Sequence, residues 1–413
     1  MTEKSENSVL DNMLYQGQLL IQRGNFSEAS ALFDKLLSDN PGHIEGLYSL
    51  AVCLRKQKKY MQALTTIEQV LASEADHGRA NQEQGYIYQA LSQPAQAIAA
   101  LEKAVALNPA LFGSWEALIK EPSYAKRQEA QQHLAWLSSL PPELVSVASL
   151  INQKKLYQAE QLCRNFLKGH PRNTEAMRLL AELGSKFHIL DDAEFLLASC
   201  LEFDPDFRRA RLDYVHILQK RQKFHKALEQ AQILLRTDPD NTDFQSCLGN
   251  ALQATGDFEA AIGTFENILK ITPDNHQIQL MQGHALKTVG RVDDAVAAYQ
   301  GSYRIKPDYG DAFWSLANLK TYRFSLEERQ QMRDREANPS TSIDDKIHLC
   351  FALGKDLEDS EEFEEAFSYY SRGNALRNDQ DRFDRRSVDA GLDAQKEKFD
   401  AAFFKSRAGA GCP

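Results

Sequence analysis

Prolines recur at a fixed interval along much of the chain. Five prolines follow one another at intervals of 34 residues: Pro171, Pro205, Pro239, Pro273 and Pro307. Earlier in the chain, Pro41 and Pro109 lie 68 residues apart, which is twice that interval. A period of 34 residues is typical of arrays in which each repeat is one helix–turn–helix unit. The sequence therefore predicts an all-α protein, a superhelical solenoid of about ten such units.

One unit, residues 242–273, shows why the pattern favours paired helices. Gly256 can adopt the left-handed conformation that ends a first helix. Small residues at Gly249 and Ala261 would allow two helices to cross closely. The second helix would carry an apolar stripe made of Phe258, Ala261, Phe265 and Ile268.

These positions resemble the motif of the tetratricopeptide repeat family. The same residue types recur near the start of the chain, as Gly17, Leu20, Gly24, Ala29, Phe33 and Pro41, and later as Gly283, Leu286, Gly290, Ala295, Tyr299 and Pro307. The resemblance implies that neighbouring units stack and that stability propagates along the array. We expect units to begin near residues 10, 44, 78, 140, 174, 208, 242, 276, 310 and 347.

Two segments depart from this period and divide the chain. We expect N-terminal units over 1–111, an irregular helical joint over 112–139, central units over 140–323, an insertion over 324–346 and a last unit over 347–380. Residues 381–413 would form a helix that caps the last repeat and then a linker. The apolar residues of that helix are Val388, Leu392, Phe399, Phe403 and Phe404. An alternative is that its aromatic end docks on another element.

Residues 309–324 and 347–413 resemble the region that precedes the catalytic domain in bacterial proteins fusing tetratricopeptide repeats to a sulfotransferase. In that family a strand and a Gly-rich phosphate loop come next. The resemblance implies that the catalytic domain and its cofactor, phosphoadenosine phosphosulfate, are absent from this chain. The alternative is a free-standing adaptor or assembly scaffold with no enzymatic domain.

No motif in the chain predicts catalysis or a bound cofactor. A phosphate loop needs a strand before its glycines and a helix after them, and "RAGAGCP" at 407–413 has neither in the predicted pattern. The acidic run "DLEDSEEFEEAF" at 356–367 is typical of a solvated helix surface. Because no two histidines have HxxxH spacing, we expect no metal site.

Composition restricts the partners. The net charge of −10 and the pI near 5.6 argue against nucleic acid as the partner. No apolar run reaches transmembrane length, and the polar start is unlike a secretory signal. The six cysteines are scattered, which is typical of reduced thiols. We therefore expect a cytoplasmic protein that binds proteins or peptides, with no nucleic-acid or membrane partner.

The family resemblance implies that the first helix of each pair lines a concave groove. Residues 276–324 contain six Lys or Arg and four Asp or Glu, so the local net charge is positive. We therefore expect this groove to bind an extended acidic segment, such as an acceptor peptide. Its residues would be Asn250, His284, Lys287, Trp314, Asn318, Lys320, His348, Phe351 and Lys355. Alternatively, Trp314 fills a gap between units and Lys320 caps a helix end. A second groove would contain Tyr48, Arg55, Arg79, Gln82 and Tyr86.

Overall fold

The computed structural model describes residues 3–381 and 384–407, and these residues form α-helices and no strands. The helices follow one another in a repeated arrangement of pairs, which confirms the all-α prediction. The chain divides into two compact units, residues 1–221 and 222–413.

The helices of the first unit follow the predicted 34-residue period except near its middle. They are α1 (Glu3–Gln22), α2 (Phe26–Asp39), α3 (Ile44–Lys56), α4 (Tyr60–Ser73), α5 (Gly78–Ala90), α6 (Pro94–Leu107), α7 (Phe112–Lys120), α8 (Arg127–Ser139), α9 (Pro142–Asn152), α10 (Leu156–Gly169), α11 (Thr174–Lys186), α12 (Leu190–Phe203) and α13 (Arg208–Lys220).

The second unit keeps the same period up to its fifth helix. Its helices are α14 (Phe224–Thr237), α15 (Thr242–Thr255), α16 (Phe258–Ile271), α17 (His276–Thr288), α18 (Val292–Ile305), α19 (Gly310–Ala317), α20 (Leu326–Ala337), α21 (Ile343–Asp359), α22 (Phe363–Asp381), α23 (Arg385–Lys398) and α24 (Ala401–Ser406).

Side-chain caps start several of the first helices. The amide oxygen of Asn173 accepts a hydrogen bond from the backbone N–H of Ala176 at 2.9 Å, and Asn241 and Asn275 act in the same way on α15 and α17. Such a cap satisfies one of the N–H groups that the first turn leaves unpaired. In α11, α15 and α17 the asparagine before the helix therefore fixes where that helix begins.

The turn inside each helix pair requires a left-handed residue. Gly256 has φ of 89° and Gly290 has φ of 83°, as the sequence predicts for Gly256. In other pairs the corresponding residue is not glycine, at Lys58, Ser92, Lys154 and His188. A non-glycine residue pays a modest conformational cost there, so packing of the two helices must hold the turn in place.

Close helix crossings confirm the role predicted for the small residues. A Cβ added at Gly249 would lie 2.5 Å from the ring of Phe265, and one at Gly283 would lie 2.5 Å from the ring of Tyr299. Both rings are fully buried. Each glycine therefore makes room for the aromatic ring of its own pair's second helix.

The segment 112–139 forms two helices, α7 and α8. Leu118 and Ala130 from these helices pack in one cluster with Leu101 of α6, whereas Leu144 of α9 belongs to a different cluster. The chain bends by 118° between α8 and α9. This segment thus adds its apolar residues to the preceding helices and redirects the chain.

The segment 324–346 contains α20, which a half-buried carboxylate holds in place. Glu328 accepts hydrogen bonds from the hydroxyls of Tyr303 at 2.7 Å and Tyr322 at 2.6 Å. It also completes a capping box with Ser325. These bonds lower the pKa of Glu328 although its burial alone would raise it. The carboxylate therefore ties α20 to α18 and to the loop before α20.

The helix that leads into this segment is shorter than the sequence predicts. The spacing places Asn318 on a helix continuing to residue 321, but α19 ends at Ala317 and Lys320 has φ of 64°. At the other end, Gly310 approaches the backbone of Asp345 so closely that an added Cβ would lie 2.2 Å from its carbonyl oxygen. Because α19 packs tightly on α21, the chain turns away early toward α20.

The helix expected to cap the last repeat does not cover it in the described part of the chain. Neither α23 nor α24 contains a buried residue. Val388 is 46% exposed and Leu392 is 49% exposed. The predicted cap is therefore not formed as a buried contact among these residues, and the apolar stripe of α23 stays about half exposed.

We expect Gly249→Ala to destabilise the α15–α16 pair by about 1–3 kcal/mol, because the new methyl group would collide with the Phe265 ring. Gly263→Ala is the matched control in α16, where an added Cβ meets nothing within 4 Å, so it should stabilise the helix by about 0.5–1 kcal/mol. Hydrogen exchange of α15 and α16 measures both changes. Equal effects of the two substitutions would contradict the close crossing.

Candidate protein-binding surface

The second predicted groove is a connected set of side chains on α3 and α5. The guanidinium carbon of Arg79 lies 4.5 Å from the centre of the Tyr48 ring, and the Tyr48 ring stacks on His77 at 5.6 Å. Tyr48 is buried, and that burial raises its pKa. Arg79 is half-buried over this aromatic base, and no described carboxylate lies within ion-pair distance of it.

A second arginine, Arg55 on α3, belongs to the same surface. Arg55 holds both carboxylate oxygens of Glu83, one of them at 3.0 Å, and lies 5.1 Å from the centre of the Tyr86 ring. Burial, with the negative charge of Glu83, raises the pKa of Tyr86 to about 12. Such a two-pronged ion pair fixes the guanidinium plane. The Tyr86 ring is thereby held in one orientation.

The first helix of the next pair, α7, contributes to the same surface. The side-chain amide of Gln82 donates to the hydroxyl of Ser114 at 2.8 Å. An added Cβ at Gly113 would lie 2.3 Å from the hydroxyl oxygen of Tyr86, so only a glycine leaves room for that hydroxyl. We call Tyr48, Arg55, Arg79, Gln82, Glu83 and Tyr86 the α3–α5 surface.

A cavity of 520 Å³ adjoins this surface at the beginnings of α3 and α5. The turn between α9 and α10 closes one side, where the ammonium of Lys155 lies 2.9 Å from the carboxylate of Glu45. Burial opposes ionisation of Glu45, but Lys155 and Arg79 together lower its pKa. The cavity walls carry balanced charges, with Glu45, Glu74 and Asp76 opposite Arg79, Lys154 and Lys155. Its volume suits a few residues of a peptide.

The first predicted groove is only partly assembled. On α17, the Nδ1 of His284 lies 2.9 Å from the hydroxyl of Tyr299. The rings of Trp314 and Phe351 approach to 5.8 Å between α19 and α21. Both rings are half-buried, so Trp314 fills space between two helices as well as facing solvent. We call His284, Lys287, Trp314, Phe351 and Lys355 the α17–α21 surface.

The charges expected in this groove are less available than the sequence indicates. Lys355 is paired with Asp359 one turn later, and Arg323 also lies 3.1 Å from Asp359. Asn318 and Lys320 lie beyond the end of α19 and are exposed. Asn250, Lys287 and His348 remain half-buried on α15, α17 and α21. The predicted row of polar groups on consecutive helices is therefore interrupted at α19.

Sequence reasoning missed the acidic and hydroxyl partners of the α3–α5 surface. Glu83 is almost completely buried, and such a carboxylate needs a charged partner. A signal was present, because Glu83 and Arg55 lie 28 residues apart, on the first helices of two successive repeats. The Lys155 partner of Glu45 spans 110 residues, and no local pattern identifies it.

The described residues contain no cluster of metal ligands and no single helix with the character of a membrane span. No cluster of three His, Cys, Asp or Glu side chains in this part of the chain could hold a metal ion. None of these helices alone has the length and apolar character of a membrane span; α8 and α9 reach it only as a bent pair. The glycines of the considered phosphate loop, and Cys412, lie outside the described residues.

Comparison with known families identifies repeats in three segments. Tetratricopeptide repeat models match residues 20–82, 78–111 and 212–276. None of the curated proteins matches the chain. The segments that match therefore contain tetratricopeptide repeats, as their residue pattern predicts.

Solved structures of MamA proteins are similar to part of the chain. MamA 41-end from Desulfovibrio magneticus RS-1 is 11% identical, with 41% of this chain and 98% of that chain covered and a TM-score of 0.38. The MamA RS-1 ArsTM double mutant is 11% identical, with coverages of 41% and 97% and a TM-score of 0.37. MamA AMB-1 is 18% identical, with coverages of 40% and 99% and a TM-score of 0.37.

We expect the first unit to lose stability as pH falls below about 6.5, the ordinary pKa of histidine. The Nδ1 of His77 accepts a hydrogen bond from the N–H of Ala80 at 3.0 Å and caps α5, and burial lowers its pKa. The unfolded chain therefore takes up a proton at a higher pH than the folded chain does. Stability is complete above the unfolded pKa and declines as pH falls toward the lowered folded value.

His77→Asn isolates this effect, because asparagine caps α11, α15 and α17 without titrating. Between pH 7.5 and 5.5 the free energy of unfolding should fall less for the variant than for the parent. The difference between the two losses should not exceed roughly 1 kcal/mol, the contribution of one helix cap. The control is His225→Asn, an exposed position on α14. Chemical denaturation at each pH measures the slopes. Parallel slopes for the parent and His77→Asn would refute the titrating cap.

Proposed function

We propose that this chain is a cytoplasmic protein-binding scaffold and that the α3–α5 surface is its principal binding surface. The observation that carries the proposal is the ordered set of Arg79, Tyr48, Arg55, Glu83 and Tyr86 on consecutive first helices. Tetratricopeptide repeats in residues 20–111 support a role in protein recognition.

The contacts within this surface reduce the cost of binding. Arg55 is held by Glu83, and the Tyr86 ring lies between Arg55 and Gly113. Side chains that are already fixed lose little conformational freedom when a partner arrives. Rigid aromatic rings and arginines are also the residues that contribute most binding energy at protein interfaces. The surface is therefore prepared to bind an extended segment.

The charges favour a partner segment with a carboxylate. Arg55 forms an ion pair with Glu83, whereas Arg79 packs on an aromatic ring and has no described carboxylate within ion-pair distance, although its charge acts on Glu45. We assign Arg79 to an acidic side chain of the partner and the adjoining cavity to neighbouring residues of the same segment. The α17–α21 surface is the second candidate, supported by the exposed parts of Trp314 and Phe351 and by Lys287.

Selection from a display library of random peptides tests the assignment. We expect the folded chain to enrich segments containing Asp or Glu. Arg79→Glu should weaken a selected peptide by about tenfold or more, because an attractive contact becomes repulsive. The loss should shrink as salt is added, since screening reduces both interactions. Fluorescence polarisation of labelled peptides measures the affinities.

Two variants of equal charge change serve as controls. Arg23→Glu alters an exposed arginine outside both surfaces and should leave the affinity unchanged. Lys287→Glu tests the α17–α21 surface. A loss of binding with Lys287→Glu and none with Arg79→Glu would transfer the function to that surface. No enrichment of any peptide would refute the scaffold proposal.

A narrower proposal rests on the sequence resemblance alone. Residues 309–324 and 347–413 resemble the region before a sulfotransferase domain, so we propose that the scaffold recruits a protein or peptide acceptor for such an enzyme. The alternative is a free-standing adaptor. A reading frame that continues beyond Pro413 into a strand and phosphate loop would support recruitment, and a stop codon there would support the adaptor.

This narrower proposal also predicts that the chain does not bind phosphoadenosine phosphosulfate. The cofactor needs a cradle of backbone N–H groups at the start of a helix, and the sequence provides no strand–loop–helix motif for it. Isothermal titration calorimetry of the chain with the cofactor should give no saturable heat. Micromolar binding at a single site would show that the chain itself holds a nucleotide site.

A further inference from the structure

The outer face of α22 lacks the cover that the same face has in an internal repeat. Phe367 and Ile262 are each the fifth residue of a second helix, α22 and α16. Ile262 is 2% exposed, in one apolar cluster with Ile278 and Leu286 of the next first helix, α17. Phe367 is 72% exposed. The face of α22 therefore has the chemistry of a stacking interface without a neighbour.

The same chain carries a helix with the features of such a neighbour. α23 has 14 residues, as α15 does, and Val388 and Leu392 form an exposed apolar stripe four residues apart. Residues 399–403, Phe-Asp-Ala-Ala-Phe, have the same order of residue types as Phe-Glu-Ala-Ala-Ile at 258–262. α23 and α24 thus resemble a further helix pair of the array.

Within one chain the two apolar faces are out of register. α22 has 19 residues where α16 has 14, and its additional residues, 377–381, are all polar. Gln380 donates to the carboxylate of Asp344 at 2.8 Å and keeps this extension on α21. Five helical residues add about 7.5 Å.

The extension decides what α23 can reach. If α23 folded back along α22, Val388 would lie level with the polar extension. Leu392, about 10 Å into its own helix, would stop roughly 10 Å short of Phe367, which lies about 21 Å from the end of α22. Only Phe399, at the C-terminal end of α23, would come level with Phe367, and Phe363 would still lie beyond it. A helix from another molecule has no such limit, because no connection fixes its position along α22.

Charges also suit a second copy. Glu361 and Glu364 lie beside the exposed Phe363 at the start of α22, and neither forms an ion pair with a described residue. On α23, Asp389 and Asp393 are near Arg385 and Lys396, whereas Arg386 and Lys398 have no such partner in the described residues. Unpaired cations on α23 could thus face unpaired acids on α22.

We propose that two copies of this chain form a dimer in which α23 of each copy packs on the outer face of α22 of the other. The exchange is reciprocal, so both contacts form at once under two-fold symmetry. Phe363 and Phe367 of one copy are covered by Val388 and Leu392 of its partner. This inference is independent of the proposed binding surface on α3 and α5.

Sedimentation velocity over a range of protein concentrations tests the dimer. The parent chain should pass from monomer to dimer as its concentration rises. Phe367→Ser and Leu392→Ser should each raise the dimer dissociation constant at least tenfold, since each removes apolar contact from both symmetric interfaces. Both residues are exposed in the single chain, so circular dichroism should show an unchanged fold.

A mixing experiment distinguishes the exchange from other contacts. One molecule of Phe367→Ser and one of Leu392→Ser can still form one intact α22–α23 contact, so their mixture should associate more strongly than either variant alone. Phe195→Ser, which changes a 71% exposed phenylalanine on α12, is the control and should leave the dimer intact.

Three results would overturn the proposal. One is a parent chain that stays monomeric at every concentration. Another is a dimer that neither Phe367→Ser nor Leu392→Ser weakens. The third is hydrogen-exchange protection of α23 that does not depend on concentration, since that would show α23 packed within its own chain.

Discussion

The close crossing of two helices at a small residue is the contact on which the rest of the array depends. The rings of Phe265 and Tyr299 lie so close to Gly249 and Gly283 that a side chain at either glycine would collide with them. Burial of these rings joins the two helices of a pair, and each pair then offers an apolar face to the next. Because one side of the first helix packs against the second helix at this crossing, the opposite side of the first helix is available to partners.

The sequence predicted the helix pairs well because their determinants are local. Gly256 and the caps before α11, α15 and α17 lie within a few residues of the boundaries they set. The departures depend on contacts distant in sequence. α19 packs at its first residue, Gly310, against the backbone of Asp345 and ends at Ala317, and α20 is held by Tyr303 through Glu328. A repeat period carries no information about such contacts.

The two predicted grooves differ for the same reason. In the α3–α5 surface, partners such as Arg55 and Glu83 lie on the first helices of two successive regular repeats, so regular stacking brings them together. In the α17–α21 surface, the row of residues crosses the irregular α19. Asn318 then leaves the helix, and Lys355 pairs with Asp359 instead of facing a partner. A periodic argument holds only where the repeat is regular.

Regular stacking also leaves the apolar face of the last second helix, α22, without a neighbour. In the internal pair α15–α16, the apolar face of the second helix packs in one cluster with the next first helix, as Ile262 does with Ile278 and Leu286 of α17. A helix that keeps the same apolar positions without a successor exposes them, and large exposed apolar patches favour association. The polar extension of α22 shifts Val388 and Leu392 of its own chain out of register with Phe367. A stacking face displaced from its natural neighbour in this way becomes a surface that another molecule can recognise, so the periodicity that builds the fold also supplies the means of assembly.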